Sequence, residues 1–144
     1  MVEIIFKRIH KDASVPEYQT PGSVAFDFCL VEDISIAPGA IAKTRTGLVI
    51  KTPDDHALLV ISRSSNPVKK GIDLANSVGV VDSDYAGPSD ELFLLLKNIT
   101  NEEVTLKKGD RVAQGMFVPV TRGTMKEVEE MPHKNRGGHG STGR

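Results

Sequence analysis

Apolar side chains in this chain recur at every second position or in short β-branched runs, and rarely at helical spacing. That period constrains the fold more than any other feature. Alternation puts one set of side chains toward a core and the other toward water, and an extended strand is the conformation that does this. The segment VAFDFCLV at 24–31 is the clearest case, with Val24, Phe26, Phe28 and Leu30 on one face and Asp27 on the other. Further strands are expected over VEIIFKRI at 2–9, ISIAPG, IAKTRTGLVIKT, HALLVISRS at 56–64, LFLLLKN, VTLKKGD and VAQGMFVPV, punctuated by Pro38-Gly39 and Gly47. IDLANSVGVVDSDY predicts two strands of a hairpin bent around Asn76 to Gly79, and SSNPVKKG predicts one short helical turn with Ser64 or Ser65 near its start and Gly71 ending it. About ten short, evenly spaced strands predict an all-β sandwich, jelly roll or barrel.

A chain of 144 residues is long enough to bury one core of its own. With 18 Lys plus Arg against 19 Asp plus Glu it lacks the basic excess of a nucleic-acid or anionic-membrane binder, while a local basic site for a small phosphate ligand stays compatible. Cys29 is the single cysteine, which excludes an intramolecular disulfide and a cysteine-based zinc site, and it reads as a small core hydrophobe. MVEIIFKRIHKD holds only a short apolar run broken by charge, the pattern of neither a signal peptide nor a membrane span, so a cytoplasmic protein is expected. At about Thr121 the character changes, dividing a β domain at 1–120 from an arm at 121–144 that is poor in apolar residues and rich in Gly and charge. Such a segment buries too little surface to offset its ordering entropy, and a flexible arm is expected.

Five polar motifs punctuate this framework: PGSVAFD at 21–27, SRSS at 62–65, ANSVGVVDSDYAG at 75–87, GDRVAQ at 109–114 and GGHGSTG at 137–143. Each has an ordinary reading. Asp27 is an outward strand carboxylate, SRSS a capping serine beside a surface arginine, Asp82 and Asp84 loop carboxylates, and Asp110-Arg111 a structural turn. Two have chemical readings as well. A cation, two hydroxyls and a turn make a phosphate cradle, and four glycines interleaved with Ser and Thr offer backbone N–H groups to phosphate oxygens.

Taken together, in this order and spacing, the five motifs resemble the trimeric dUTPase family over nearly the whole chain. The resemblance implies a distorted jelly roll (β-clip) with a C-terminal arm, hydrolysis of dUTP to dUMP and pyrophosphate, a Mg²⁺ cofactor, and a homotrimer in which each site is covered by an arm from another subunit. It implies that Asp82 binds the 3′-hydroxyl and orients the attacking water, as general base or as anchor for the water's proton. Asn76 and main-chain groups at Gly79 and Val81 would read the uracil edge, and Tyr85 would lie beneath the deoxyribose and exclude a 2′-hydroxyl. Arg63, Ser64, Ser65 and Gln114 would contact the phosphates, and Asp27 would hold the water shell of the metal, which needs few protein carboxylates. From the arm, His139, Gly140, Ser141 and Thr142 would close over the nucleotide.

Two departures from the family pattern lie in the arm. His139 stands where the usual stacking residue is Phe, and Lys134 stands where the phosphate-clamping Arg is expected, with Arg136 two residues later. Either Lys134 or Arg136 is the candidate clamp, Arg136 being the stronger because its planar fork grips phosphate at two points. The stretch AGPSDEL is about two residues longer than the common pattern, which predicts a lengthened hairpin tip away from Asp82. Rival readings are a dCTP deaminase on the same fold, disfavoured by DSDY in place of Asp-Pro-Gly, a nucleotide-sensing protein, and a ligand-free interaction module.

Overall fold

Strand β2 (Phe26–Cys29) shows how the period-two pattern is realised, with Phe26 and Phe28 buried and Asp27 and Cys29 partly exposed on the opposite face. Val24, expected on the buried face, is 71% exposed and precedes the strand. The cause is local: Thr20 and Ser23 close a turn on each other, Thr20 N–H donating to Ser23 Oγ at 3.1 Å and Ser23 N–H to the Thr20 carbonyl at 3.1 Å, so extended pairing starts only beyond it.

This computed structural model describes residues 1–143. The remaining strands are β1 (Ile5–Arg8), β3 (Ile34–Ile36), β4 (Ile41–Arg45), β5 (Leu48–Lys51), β6 (His56–Ile61), β7 (Ile72–Leu74), β8 (Val78–Val81), β9 (Phe93–Asn98), β10 (Val104–Leu106) and β11 (Arg111–Pro119). They form a four-stranded sheet in the order β2-β11-β6-β8, a three-stranded sheet β4-β9-β7, and the pairs β1-β5 and β10-β3. All of this pairing is antiparallel. One apolar core joins the inner faces of both larger sheets, Phe28, Leu58 and Val112 from the first meeting Ile72, Leu94 and Leu96 from the second. The expected all-β, jelly-roll-like architecture is what the chain adopts.

Register explains Gly115 in the middle of β11. A Cβ there would stand 2.7 Å from the Phe26 ring and 2.8 Å from the Phe28 ring, so only glycine lets these two aromatics lie across the strand. The helical turn falls where the sequence places it, as one wide π-type turn over Asn66–Lys70, and Gly71 ends it at φ 66°, where a side chain would be strained. Asn66 is buried and ties the turn to β11 through Nδ2 to the Val112 carbonyl at 2.8 Å.

The hairpin expected around Asn76 is not formed as such. β7 and β8 do flank a tight turn, with Ser77 at φ 62°, but β7 pairs with β9 and β8 pairs with β6. The turn therefore carries the chain from one sheet to the other, a corner rather than a ladder. For the same reason AGPSDEL is no hairpin tip, because β8 and β9, which it connects, belong to different sheets. The arm leaves the body at Val120, whose N–H donates to the Asp55 carbonyl at 2.9 Å. From 121 to 143 every residue is exposed and outside regular structure.

Asn98 is the polar pivot of this framework. It is fully buried, and its Nδ2 donates to the carbonyls of Ile36 at 2.8 Å and Glu102 at 2.7 Å while Oδ1 accepts from the N–H and hydroxyl of Thr100, each at 2.8 Å. Replacing it strands several of these groups away from water, each costing on the order of 1–3 kcal/mol. Asn98→Ala is expected to lower unfolding free energy by about 3 kcal/mol or more, read as a shifted urea midpoint with an unchanged m-value.

Candidate active site

β8 and the turn after it build one wall of a cavity of about 560 Å³, lined on this side by Asn76, Gly79, Val81, Asp82 and Tyr85. Each position follows from local structure. The corner at 75–77 presents Asn76 at the surface, and the four-residue turn Asp82–Tyr85, closed by Tyr85 N–H to the Asp82 carbonyl at 3.2 Å, turns the tyrosine back toward the cavity. Gly79 lies opposite Val60 on β6, and an added Cβ would stand 3.2 Å from Val60 Cβ and 3.6 Å from Asn76 Nδ2. The missing side chain keeps the edge of β8 open beside Asn76.

The opposite wall comes from β4, the start of β9 and the loop before it: Lys43, Glu91, Phe93 and Leu95. The Lys43 ammonium sits 4.2 Å above the Phe93 ring centroid, a cation–π contact. None of these residues stands out in sequence. Lys43 and Phe93 read as ordinary strand positions, and only the β4-β9 pairing brings them to the rim. The stretch AGPSDEL is also closer to the site than expected, since Tyr85 just before it and Glu91 and Leu92 at its end all line the cavity.

A second cluster forms at the far end of the four-stranded sheet. Asp27 on β2 accepts from Arg63 Nε at 2.8 Å and from Arg111 Nη1 at 3.3 Å. Arg63 lies two residues beyond β6, and Gln114 on β11 donates from Nε2 to the Ser62 carbonyl at 3.0 Å. Lys70 Nζ reaches the Arg111 carbonyl at 2.9 Å. Two guanidinium groups thus flank one carboxylate, with Lys70 joined to the cluster through the Arg111 carbonyl, leaving net positive charge next in sequence to the hydroxyls of Ser64 and Ser65. Ser65 sits at the start of the helical turn without using its side chain to cap it. Lys70 and Arg111, readable in sequence only as turn residues, belong to this cluster by contact.

Within one chain Asp82 and Arg63 stand at opposite ends of β8, while Asn76 lies toward the Arg63 end. β6 pairs with β8 so that Ile61 opposes Val78 and Leu58 opposes Val81, which places Arg63 beyond the Val78 end and Asp82 beyond the Val81 end. Three strand steps separate those ends of β8, about 10 Å. Lys134, Arg136, His139, Gly140, Ser141 and Thr142 all lie on the exposed arm. The arm's end is bent by φ values of 86° at Gly137, 51° at His139, 91° at Gly140 and 89° at Gly143, with Ser141 N–H donating to the Gly138 carbonyl at 3.2 Å.

Among the described residues no group of three or more His, Cys, Asp or Glu is arranged to hold a metal ion. That donor set does not make an all-protein cage. It does suit Mg²⁺, which keeps several waters and is commonly bound through one carboxylate and the phosphates of a ligand. Asp27 is a partly exposed carboxylate of that kind, its two oxygens held by Arg63 and Arg111.

Fold and site define a jelly-roll-like domain with a small-molecule cavity along the edge strand β8 of its main sheet and a cationic cluster beyond the Val78 end of that strand. The family model described as dUTPase matches residues 11–143, and the chain belongs to that family. It is 39% identical to the deoxyuridine 5'-triphosphate nucleotidohydrolase of Lactococcus lactis subsp. lactis (strain IL1403), over 98% of this chain and 95% of that protein. The crystal structure of dUTPase from Streptococcus mutans superposes with a TM-score of 0.76 at 35% identity, covering 83% of this chain and 98% of that one. The fold extends to the Staphylococcus bacteriophage 80alpha dUTPase solved with dUPNHPP, with a TM-score of 0.87 at 22% identity over 99% of each chain.

Asp27 carries only 16% side-chain exposure, so its two guanidinium contacts lie in a partly desolvated place. Asp27→Asn removes the charge that offsets Arg63 and Arg111. The expected loss is about 1–2 kcal/mol, less than for a fully buried pair because water still reaches the arginines. Denaturant unfolding of the variant at low and at high salt checks this, with a smaller loss at high salt as screening weakens the residual repulsion.

Proposed function

We propose that this protein is a dUTP diphosphatase, hydrolysing dUTP with water to dUMP and pyrophosphate. The observation that carries the reading is the cavity along β8, where one segment supplies an amide, an open main-chain edge, a carboxylate and a tyrosine within about 560 Å³, a size suited to one small ligand. Asn76 and the main chain at Gly79 and Val81 read the uracil edge. Thymine is rejected because its methyl group meets the β8 wall. Tyr85 lies against the deoxyribose and leaves no room for a 2′-hydroxyl. Asp82 binds the 3′-hydroxyl and orients the water that attacks the α-phosphorus, taking or anchoring its proton.

Arg63, Ser64, Ser65 and Gln114 bind the phosphate chain, and preorganised cations there stabilise the charge that develops on the pyrophosphate as it leaves. Asp27 would hold bound waters of Mg²⁺, which supplies Lewis-acid neutralisation of the phosphates when present. No nucleophilic side chain is required, because the attacking oxygen comes from water.

The placement of Asp82 and Arg63 at opposite ends of β8 supports a shared site, in which one subunit's cavity is completed by another's Arg63 cluster in a homotrimer. The arm then closes a site on a neighbouring subunit. His139 stacks on the base with less area than Phe, Gly140, Ser141 and Thr142 offer N–H and hydroxyl donors to phosphate, and Arg136 or Lys134 meets the γ-phosphate. A closing lid of this kind excludes water and completes a site only when ligand is bound. In the cytoplasm such an activity limits uracil incorporation into DNA and supplies dUMP for thymidylate synthesis. No helix among the described residues is long and apolar enough to cross a membrane.

Pyrophosphate release measured with Mg²⁺ on dUTP, dTTP, dCTP and UTP is expected to select dUTP, with UTP disfavoured about 10²-fold in kcat/KM. Asp82→Asn should lower kcat on dUTP by at least about 10²-fold. Equal turnover by this variant removes Asp82 from the chemistry, and ammonia release from dCTP points to the deaminase instead. Deleting residues from Pro132 onward is expected to leave a folded trimer by light scattering with little activity, and full activity in that truncation excludes the lid.

A further inference from the structure

Tyr85 lies 41% exposed at the cavity, and one hydrogen bond holds its outer end: its hydroxyl donates to the backbone carbonyl of Glu91 at 2.9 Å. Where the ring stands therefore depends on where that carbonyl is fixed. The intervening loop is tied to itself, Gly87 N–H donating to Asp90 Oδ2 at 2.7 Å and Glu91 N–H to the Ser89 carbonyl at 2.8 Å. These contacts shape the loop without attaching it to the sheet.

The attachment is made by the Glu91 side chain, which turns inward to 5% exposure. Arg45, the last residue of β4, grips it with Nε 3.1 Å from both carboxylate oxygens and Nη2 3.0 Å from Oε2. Gly47 N–H adds a third donor to Oε1 at 2.8 Å. A carboxylate this buried is stable only when its oxygens are matched by such donors, and the planar guanidinium fork also fixes its orientation. The next residue continues the anchoring, Leu92 N–H donating to the Leu48 carbonyl at 2.8 Å and its own carbonyl accepting from Thr46 Oγ1 at 2.6 Å. Glu91 is thus referenced to β4 and β5, on the far side of the cavity from Asp82.

We propose that Arg45 and Glu91 are positioning residues for sugar selection, their ion pair holding the Glu91 carbonyl and through it the Tyr85 ring at the height that excludes a 2′-hydroxyl. This rests on the reading that Tyr85 faces the deoxyribose. Arg45 acts through Glu91, and the Glu91 side chain acts through its own backbone. Loosening the clamp lets the ring withdraw, which makes room for the ribonucleotide while Asp82 and the phosphate cradle keep their places.

The test is kcat/KM for dUTP and for UTP in Arg45→Met, Arg45→Lys, Glu91→Gln, Tyr85→Phe and Tyr85→Ala. Arg45→Met and Glu91→Gln are expected to raise the UTP-to-dUTP ratio about ten-fold, mainly by improving UTP. Arg45→Lys should fall between these and the parent, because a point charge lacks the fork. Tyr85→Phe removes only the hydroxyl and should shift the ratio the same way, and adding Arg45→Lys to it should shift the ratio no further, since both act on one contact. This last pair keeps the proposal testable if Arg45→Met does not fold. If Tyr85→Ala raises the ratio while every Arg45 and Glu91 variant loses dUTP and UTP activity in equal proportion, the clamp is structural and the proposal is wrong. If Tyr85→Ala leaves the ratio unchanged, the sugar reading of Tyr85 fails and the proposal fails with it.

Discussion

β6 lies between β11 and β8, and the rest of the molecule takes its bearings from that double pairing. Its register with β11 runs from Gln114 opposite Ile61 to Pro119 opposite His56, and its register with β8 from Val78 opposite Ile61 to Val81 opposite Leu58. Side chains on a strand alternate, so a slip of one residue would turn Leu58 and Val60 to solvent and bring Leu59 and Ile61 inward. The apolar core forbids this. With the register pinned, the C-terminal end of β6 delivers Arg63 to one end of the sheet, and the C-terminal end of β8 delivers Asp82 to the other.

That opposed placement follows from antiparallel pairing, in which neighbouring strands finish at opposite ends. It gives the two halves of the site different physical characters. The cavity beside β8 is shaped by main-chain geometry: the open edge at Gly79, the corner at 75–77 and the turn that swings Tyr85 back. The cradle beside Arg63 is shaped by charge, with Arg63 and Arg111 on Asp27 and Lys70 on the Arg111 carbonyl. A base edge is recognised by directional hydrogen bonds on a rigid frame, whereas a polyphosphate is recognised by concentrated positive charge.

Buried polar groups join the small sheets to the large ones. Asn98 links β9 to the ends of β3 and β10, Asn66 links the helical turn to β11, and Glu91 links the loop after Tyr85 to β4. Each is far removed from water, so each holds its partners tightly and tolerates few alternatives. Hydrogen bonding to the Glu91 carboxylate also raises the pKa of the Arg45 guanidinium above its ordinary value.

The sequence by itself determined the all-β class, the positions of most strands, the helical turn ended by Gly71 and the five motifs that mark the family. These are local properties, set by side-chain alternation, by the φ of glycine and by short runs of polar residues. It misjudged what depends on partners. Val24 fits the alternation yet lies outside β2, because a turn between Thr20 and Ser23 delays the pairing. The segment 72–81 has the pattern of a hairpin, but its strands pair with β9 and β6. Lys43, Phe93 and Glu91 carry no sequence signal, and only the tertiary structure brings them to the cavity rim with Tyr85. Which strand a strand pairs with is decided by where distant apolar faces find each other, and that information belongs to the folded chain as a whole.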